Sequence, residues 1–245
     1  MNVLNQQFVE FSTSLILALT VVLAGFLSRN YLQKKMVSYL FWSAGLWCFA
    51  AGVFEELLFS AGYYNEFLIA TYLGIVALLV EFLALGSMQL LKGNRIKRAY
   101  YLYSIVTGAI LLYVLATEPI GNILQSYVVF GNLPTGVIVA SSMITFPAAA
   151  LLIATAALTY KSTRNRKMLS IIAGVVIVTI AGSLYIAQFP SFLYYSEFIG
   201  ILFLWLGFFD FKGKKNKKEQ QQQLVEGAAK TTQTVAGANN PVVRN

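Results

Sequence analysis

The sequence has no histidine, one cysteine and few charged residues, and each shortage excludes a class of chemistry. Without histidine there is no bis-histidine haem site, histidine-ligated zinc or copper, histidine general base or phosphohistidine. A single cysteine, Cys48, excludes an intramolecular disulfide, a CxxC site and an iron–sulfur cluster. The chain also lacks a P-loop, a GxSxG motif and an HExxH motif. We therefore expect no enzyme, no cofactor and no metal site.

The shortage of charge indicates a membrane protein. Charged residues make up 11% of the 245 residues, hydrophobic residues make up 58%, and the mean hydropathy is +0.67. Soluble domains carry about 25% charged residues, so this chain cannot cover a globule with polar surface. Its apolar residues occur in long blocks, which predicts an all-α, polytopic membrane protein.

Seven segments are long and apolar enough to cross a membrane, because a hydrocarbon core of ~30 Å requires ~20 apolar helical residues. These predicted spans lie at 8–28, 36–60, 67–91, 99–117, 135–160, 168–188 and 192–211. Residues 1–211 are thus predicted to form a seven-helix transmembrane domain. Residues 212–245, which contain a glutamine run and cannot bury a core, are predicted to form a disordered basic and polar cytoplasmic tail.

The basic residues predict the orientation. If there are seven spans, all 18 lysines and arginines lie between spans one and two, three and four, or five and six, or after span seven. Basic residues concentrate on the cytoplasmic side. We therefore expect a multi-pass plasma-membrane protein with its N-terminus outside and its C-terminus in the cytoplasm.

The same basic residues predict the partners. The net charge of +8 lies at membrane flanks, so no nucleic-acid partner is expected. Lysines just after span seven would attract anionic lipid of the bilayer, by about 1 kcal/mol each near the surface. They are Lys212, Lys214, Lys215, Lys217 and Lys218. The inner loops 92–98 and 161–167 offer a docking surface for cytoplasmic proteins.

Two short sequences recur at nearly one offset. Residues 34–38 (KKMVS) match 166–170 (RKMLS), and residues 63–68 (YYNEFL) match 194–199 (YYSEFI). The matches predict parallel three-helix halves at 8–91 and 135–211, joined by the linker helix at 99–117. The alternative is that basic and aromatic flanks recur for topological reasons alone.

This 3+1+3 plan resembles the transporter–opsin–receptor group of seven-helix proteins. The resemblance covers residues 8–211 as architecture and implies transport or sensing. The motifs of two members are missing. Residues 192–211 contain no lysine for a retinal Schiff base, and the first helix of neither half carries the Pro-Gln pair of the PQ-loop sugar transporters.

The longest outer connection, about 118–134, separates spans four and five. Glycines and a proline interrupt it, and residues 127–130 form a short apolar run. It is predicted to form a small hairpin or an interfacial cap over the bundle.

Glu81 is the sharpest candidate, because it lies close to the middle of span three. A carboxyl group at that depth is costly, so it should face the bundle or a wet cavity. Gly74, Ala77, Ala84 and Met88 share its helical face. With no basic residue inside the membrane, it is suited to proton coupling, cation binding or gating. The alternative is a neutral carboxyl that hydrogen-bonds another helix as a structural contact.

Four more glutamates are candidates for an acidic outer vestibule that attracts cations. Glu55 and Glu56 lie about one turn inside the outer end of span two. Glu66 and Glu197 hold equivalent repeat positions at the outer starts of spans three and seven. The alternative is that acidic residues are merely tolerated outside. In span five, Pro147 is a hinge candidate, although most proline kinks are static.

The favoured function is non-enzymatic transport of a small solute or ion through a site that includes Glu81. One alternative is a receptor-like sensor that signals to separate cytoplasmic partners. Another is an accessory membrane subunit of a larger complex, for which the absence of cofactor ligands is typical.

Overall fold

The computed structural model of the protein describes residues 3–91, 93–121, 123–125, 128–129, 133–163, 170, 173–174, 177 and 190–208. Among these described residues, five helices are long and apolar enough to cross a membrane. They are α1 (Val3–Lys34), α2 (Val37–Ser60), α3 (Glu66–Met88), α4 (Asn94–Thr117) and α5 (Thr135–Thr163). A further apolar helix, α6, spans Pro190–Phe208. The architecture is that of a helical membrane protein, as the composition predicts.

Six of the seven predicted spans correspond to these helices. The main differences are that α1 begins earlier, at Val3, and continues to Lys34, and that α4 already begins at Asn94. Lysine, arginine and glutamine are good helix formers, so a helix continues past its apolar stretch. Residues 170, 173, 174 and 177 are helical and fall within the predicted span 168–188. The rest of that span and the predicted tail 212–245 lie outside the described residues.

Local signals set the helix ends. Lys35 adopts φ 54°, and its amide donates to the Tyr31 carbonyl at 2.7 Å, which ends α1 in a left-handed cap. Only Lys35 and Met36 separate α1 from α2, so these helices pack as an antiparallel pair. At the start of α3, the side chain of Asn65 accepts a hydrogen bond from the Leu68 amide at 2.7 Å.

The helices α2 and α3 lie at the centre of the bundle. The helix α2 packs against α1 and α3, α3 also packs against α4 and α5, and α6 packs against α1. The main core combines α1, α2, α3, α5 and α6; examples are Leu23, Leu46, Leu83, Leu152 and Leu204. On α4 only Thr107 and Leu111 are buried. Most of the apolar surface of α4 therefore faces outward, as expected for lipid contact.

The connection between α4 and α5 contains the predicted hairpin. Strand β1 (Leu124–Gln125) pairs antiparallel with β2 (Val128–Val129), which makes the hairpin. Ile120 and Ile123 are buried against the ends of α2 and α3. We call residues 118–121 and 123–125 the loop cap, since Ile120 and Ile123 cover this end of the bundle.

Candidate functional site

Three of the predicted glutamates come together near one end of the bundle. We call Glu55 and Glu56 of α2 and Glu197 of α6 the Glu56 cluster. Glu56 is 2% exposed and Glu197 is 7% exposed. Glu56 interacts electrostatically with both Glu55 and Glu197. The cluster therefore connects two helices, and its members Glu56 and Glu197 are 141 residues apart in the chain.

A tyrosine of α3 completes this cluster. The Tyr72 hydroxyl donates to Oε1 of Glu56 at 2.6 Å. The ring of Tyr72 packs edge-on against Phe59, at 5.7 Å between centroids, and both belong to one core with Ile120 and Ile123. Tyr72 thereby contacts both the Glu56 carboxyl and the buried side chains of the loop cap. Sequence reasoning missed Tyr72, because a tyrosine in an apolar helix is not distinctive.

The helix α1 closes the same end of the bundle. Nε2 of Gln6 donates to Oε1 of Glu10 at 3.2 Å and to the carbonyl of Ser60 at 3.1 Å, which joins α1 to the end of α2. Tyr194 of α6 is buried against Val9 of α1. The Glu56 cluster thus lies on helices that neighbouring elements hold in place.

Each carboxyl group of the cluster has one oxygen that lacks a partner. Oε2 of Glu55, of Glu56 and of Glu197 is buried with no hydrogen-bond partner among the described residues. The sequence has no lysine or arginine within 1–28, 36–91, 99–160 or 168–211. These segments therefore cannot supply a basic side chain to neutralise the cluster. Buried carboxylates must be paired, protonated or bound to a cation.

Glu81 forms a second site, with α4. The Tyr100 hydroxyl donates to Oε2 of Glu81 at 3.0 Å, and Ser104, one turn further along α4, also hydrogen-bonds this carboxyl. We call these three residues the Glu81 site. Glu81 is 3% exposed, and its Oε1 is buried without a partner in the described part of the chain. Glu81 therefore faces another helix, as its burial cost predicts, and keeps one free acceptor.

The two sites lie at different depths on opposite sides of α3. Tyr72 and Glu81 are nine residues apart, which corresponds to ~13.5 Å along the axis and ~180° around it. Glu81 is seven residues from the end of α3, or ~10 Å. Tyr72 faces α2, whereas Glu81 faces α4. The described structure therefore holds two separate buried carboxyl sites.

Glu66 differs from the other candidates in its burial. It is the exposed first residue of α3, and its neighbours 63–65 are not helical. Its predicted repeat partner, Glu197, is the eighth residue of α6 and is buried, so it does not lie at a helix start. The two matching sequences thus occupy different local structures. The pair Tyr194–Tyr195 lies within α6, whereas the pair Tyr63–Tyr64 precedes the start of α3.

Pro147 lies within α5 and has a partner that the sequence did not reveal. A proline at position 147 leaves the carbonyl of Met143 without its usual helical donor. The Tyr103 hydroxyl of α4 donates to that carbonyl. The contact fixes α5 to α4 at the proline.

The described residues contain no group of three or more cysteine, aspartate or glutamate side chains arranged to hold a metal ion. Comparison of the chain with protein-family models, with curated proteins and with solved structures finds no match. The function must therefore be argued from the Glu56 cluster and the Glu81 site.

Proposed function

We propose that the protein is a non-enzymatic, multi-pass plasma-membrane protein that transports a small ion, and that its buried carboxyl groups bind this ion on the way. One observation carries the proposal. Two carboxyl sites lie at different depths in the bundle, and each keeps buried oxygens without partners. Ionisable groups within membrane-spanning helices are costly and usually mark ion or proton pathways.

A cation suits these sites better than an anion does. The described carboxyl groups are acceptors when ionised, and the apolar segments contain no basic residue to attract an anion. The hydrogen bonds of Glu81 with Tyr100 and Ser104 already suffice for a structural contact between α3 and α4. A proton or cation that passes through the bundle would bind the second oxygen of each carboxyl group, which has no partner among the described residues.

The experiment is ion flux in vesicles reconstituted with the full-length chain. An internal pH dye and ion-selective dyes report H⁺, Na⁺ and K⁺ movement under an imposed membrane potential. We expect Glu81→Gln to lower the flux at least tenfold, because glutamine keeps the size of the side chain but cannot ionise. Glu66→Gln is the matched control and should transport normally, since Glu66 is exposed.

Two results would contradict this proposal. Wild-type vesicles that move none of the three ions would leave the receptor-like sensor or the accessory subunit as the function. Normal flux with Glu81→Gln would remove Glu81 from the pathway and leave it as a structural contact between α3 and α4.

We also propose seven spans with the N-terminus outside, on the strength of the basic residues. The prediction is tested with single cysteines in a Cys48→Ser background. Tyr63 and Lys161 are both exposed, and the proposed topology puts them on opposite sides. A membrane-impermeant maleimide should label Tyr63→Cys in intact cells and Lys161→Cys only after the membrane is opened. Labelling of Lys161→Cys in intact cells would show the opposite orientation.

This orientation places loops 92–98 and 161–167 in the cytoplasm, where a protein partner could dock. It also places the lysines after span seven against the anionic inner leaflet. The 3+1+3 repeat stays a prediction, because most of predicted span six lies outside the described residues.

A further inference from the structure

The strongest unexplained feature is the meeting of Glu56 and Glu197. They come from α2 and α6, both are at least nine-tenths buried, and they interact electrostatically. The Tyr72 hydroxyl satisfies only Oε1 of Glu56, and the Oε2 atoms of both residues have no partner among the described residues. Two neighbouring carboxyl groups cannot both ionise in a buried site without strong repulsion.

The positive charge that this pair requires does not come from a lysine or arginine of the surrounding helices. No lysine or arginine occurs in the apolar segments that build the described helices near it. Glu56 is 19 residues from the start of α2, which is ~28 Å from the basic residues at its other end. Those residues are too distant to pair with it.

We infer that Glu56 and Glu197 form a binding site for one monovalent cation, which is either a proton or an alkali-metal ion. The unpartnered Oε2 atoms of the two residues supply its ligands, while Tyr72 holds Glu56 and Glu55 adds to the negative potential. Divalent calcium takes six to eight oxygen ligands, and the described residues show no acidic group of that kind. The inference deepens the proposed transport function by naming the ion class, yet binding can be measured without flux.

Other titratable side chains lie on the elements at this end of the bundle and must be separated from the pair. In the described part of the chain they are Glu10 on α1, Glu55 on α2, Tyr63, Tyr64, Glu66 and Tyr72 at or on α3, Tyr113 on α4, Glu118 in the loop cap, and Tyr194 and Tyr195 on α6. Substitution of each glutamate by glutamine separates their contributions.

The test is the thermal unfolding midpoint, Tm, of the purified full-length protein, followed by tryptophan fluorescence. Samples span pH 5 to 8.5 in N-methylglucamine, Na⁺ or K⁺ chloride at equal ionic strength. In N-methylglucamine we expect the wild-type Tm to fall as the pH rises, because both carboxyl groups ionise and repel. If the site takes an alkali ion, Na⁺ or K⁺ restores the Tm at pH 8.5 with saturation. If it takes only a proton, the two salts change nothing.

Glu197→Gln and Glu56→Gln each remove one of the two charges and should at least halve the difference in Tm between pH 5 and 8.5. Glu66→Gln and Glu10→Gln should leave it unchanged. The inference is overturned if the wild type shows no such dependence, or if whichever pair variant folds retains all of it. The pH dependence of the wild-type Tm can be measured even if both variants fail to fold, so the first of these tests does not depend on them. Binding without flux would contradict the transport proposal alone.

Discussion

Gly86→Ala should destabilise the bundle by about 1–3 kcal/mol, the usual cost of overpacking a filled core. A Cβ atom at position 86 would lie 2.6 Å from Nε1 of Trp42 and 3.0 Å from the carbonyl oxygen of Ser38. The Trp42 ring is fixed, since its Nε1 donates to Oγ of Ser87 at 3.2 Å and it packs edge-on against Tyr39. The ring cannot move aside without breaking these contacts.

The free energy of unfolding, measured by titration from mild detergent into dodecyl sulfate, checks this prediction. Gly108→Ala on α4 is the matched control, because a Cβ there meets nothing within 4 Å. Alanine is the better helix former by ~1 kcal/mol, so the control should be neutral or stabilising. The cost of Gly86→Ala should also shrink in a Trp42→Leu background. Equal effects at positions 86 and 108 would show that α2 and α3 are not in such close contact.

Tyr103→Phe should destabilise the protein by about 1 kcal/mol, because it leaves the Met143 carbonyl without a donor. That carbonyl lacks a helical partner since Pro147 has no amide hydrogen, and the Tyr103 hydroxyl supplies the missing donor. Backbone groups without partners are especially costly within a bilayer. Tyr113→Phe is the matched control on the same helix, since Tyr113 is exposed.

A second substitution isolates this contact. Pro147→Ala restores the amide of residue 147, which can then bond the Met143 carbonyl within α5. Tyr103→Phe should therefore cost much less in the Pro147→Ala background than in the wild type. The same dodecyl sulfate titration of the four proteins measures the coupling. Additive effects would mean that Tyr103 does not replace the donor that Pro147 lacks.

These contacts explain how the two carboxyl sites are held. The Gly86 contact with Trp42 sets the approach of α2 to α3, and α3 carries both Tyr72 and Glu81. The Tyr103 contact fixes α4 against α5, and α4 supplies Tyr100 and Ser104 to Glu81. A variant that loosens either contact should therefore be checked for folding before its flux is interpreted.

The sequence by itself determined the class of protein and the positions of the described helices. Both depend on the length and composition of local segments. A bilayer of fixed thickness requires helices of ~20 apolar residues, so each apolar segment of that length indicates one helix. The cost of a carboxyl group in an apolar segment likewise identified Glu81, Glu55 and Glu56 as unusual. The prediction missed the basic ends of α1 and α4. Hydropathy detects only the apolar part of a helix, whereas the helix itself continues into the polar residues beside it.

Only the tertiary structure decided which residues meet. It placed Glu197 beside Glu56 and left its apparent repeat partner Glu66 exposed at a helix start. It also showed that Glu81 has its hydrogen-bond partners on α4. It showed that the Tyr103 hydroxyl donates to the Met143 carbonyl, which lacks a helical donor because of Pro147. Periodicity assigns a residue to a face of its own helix, whereas contacts between helices depend on the rotation and depth at which the helices pack. Those are set by the fit of many side chains together, and no local segment contains that information.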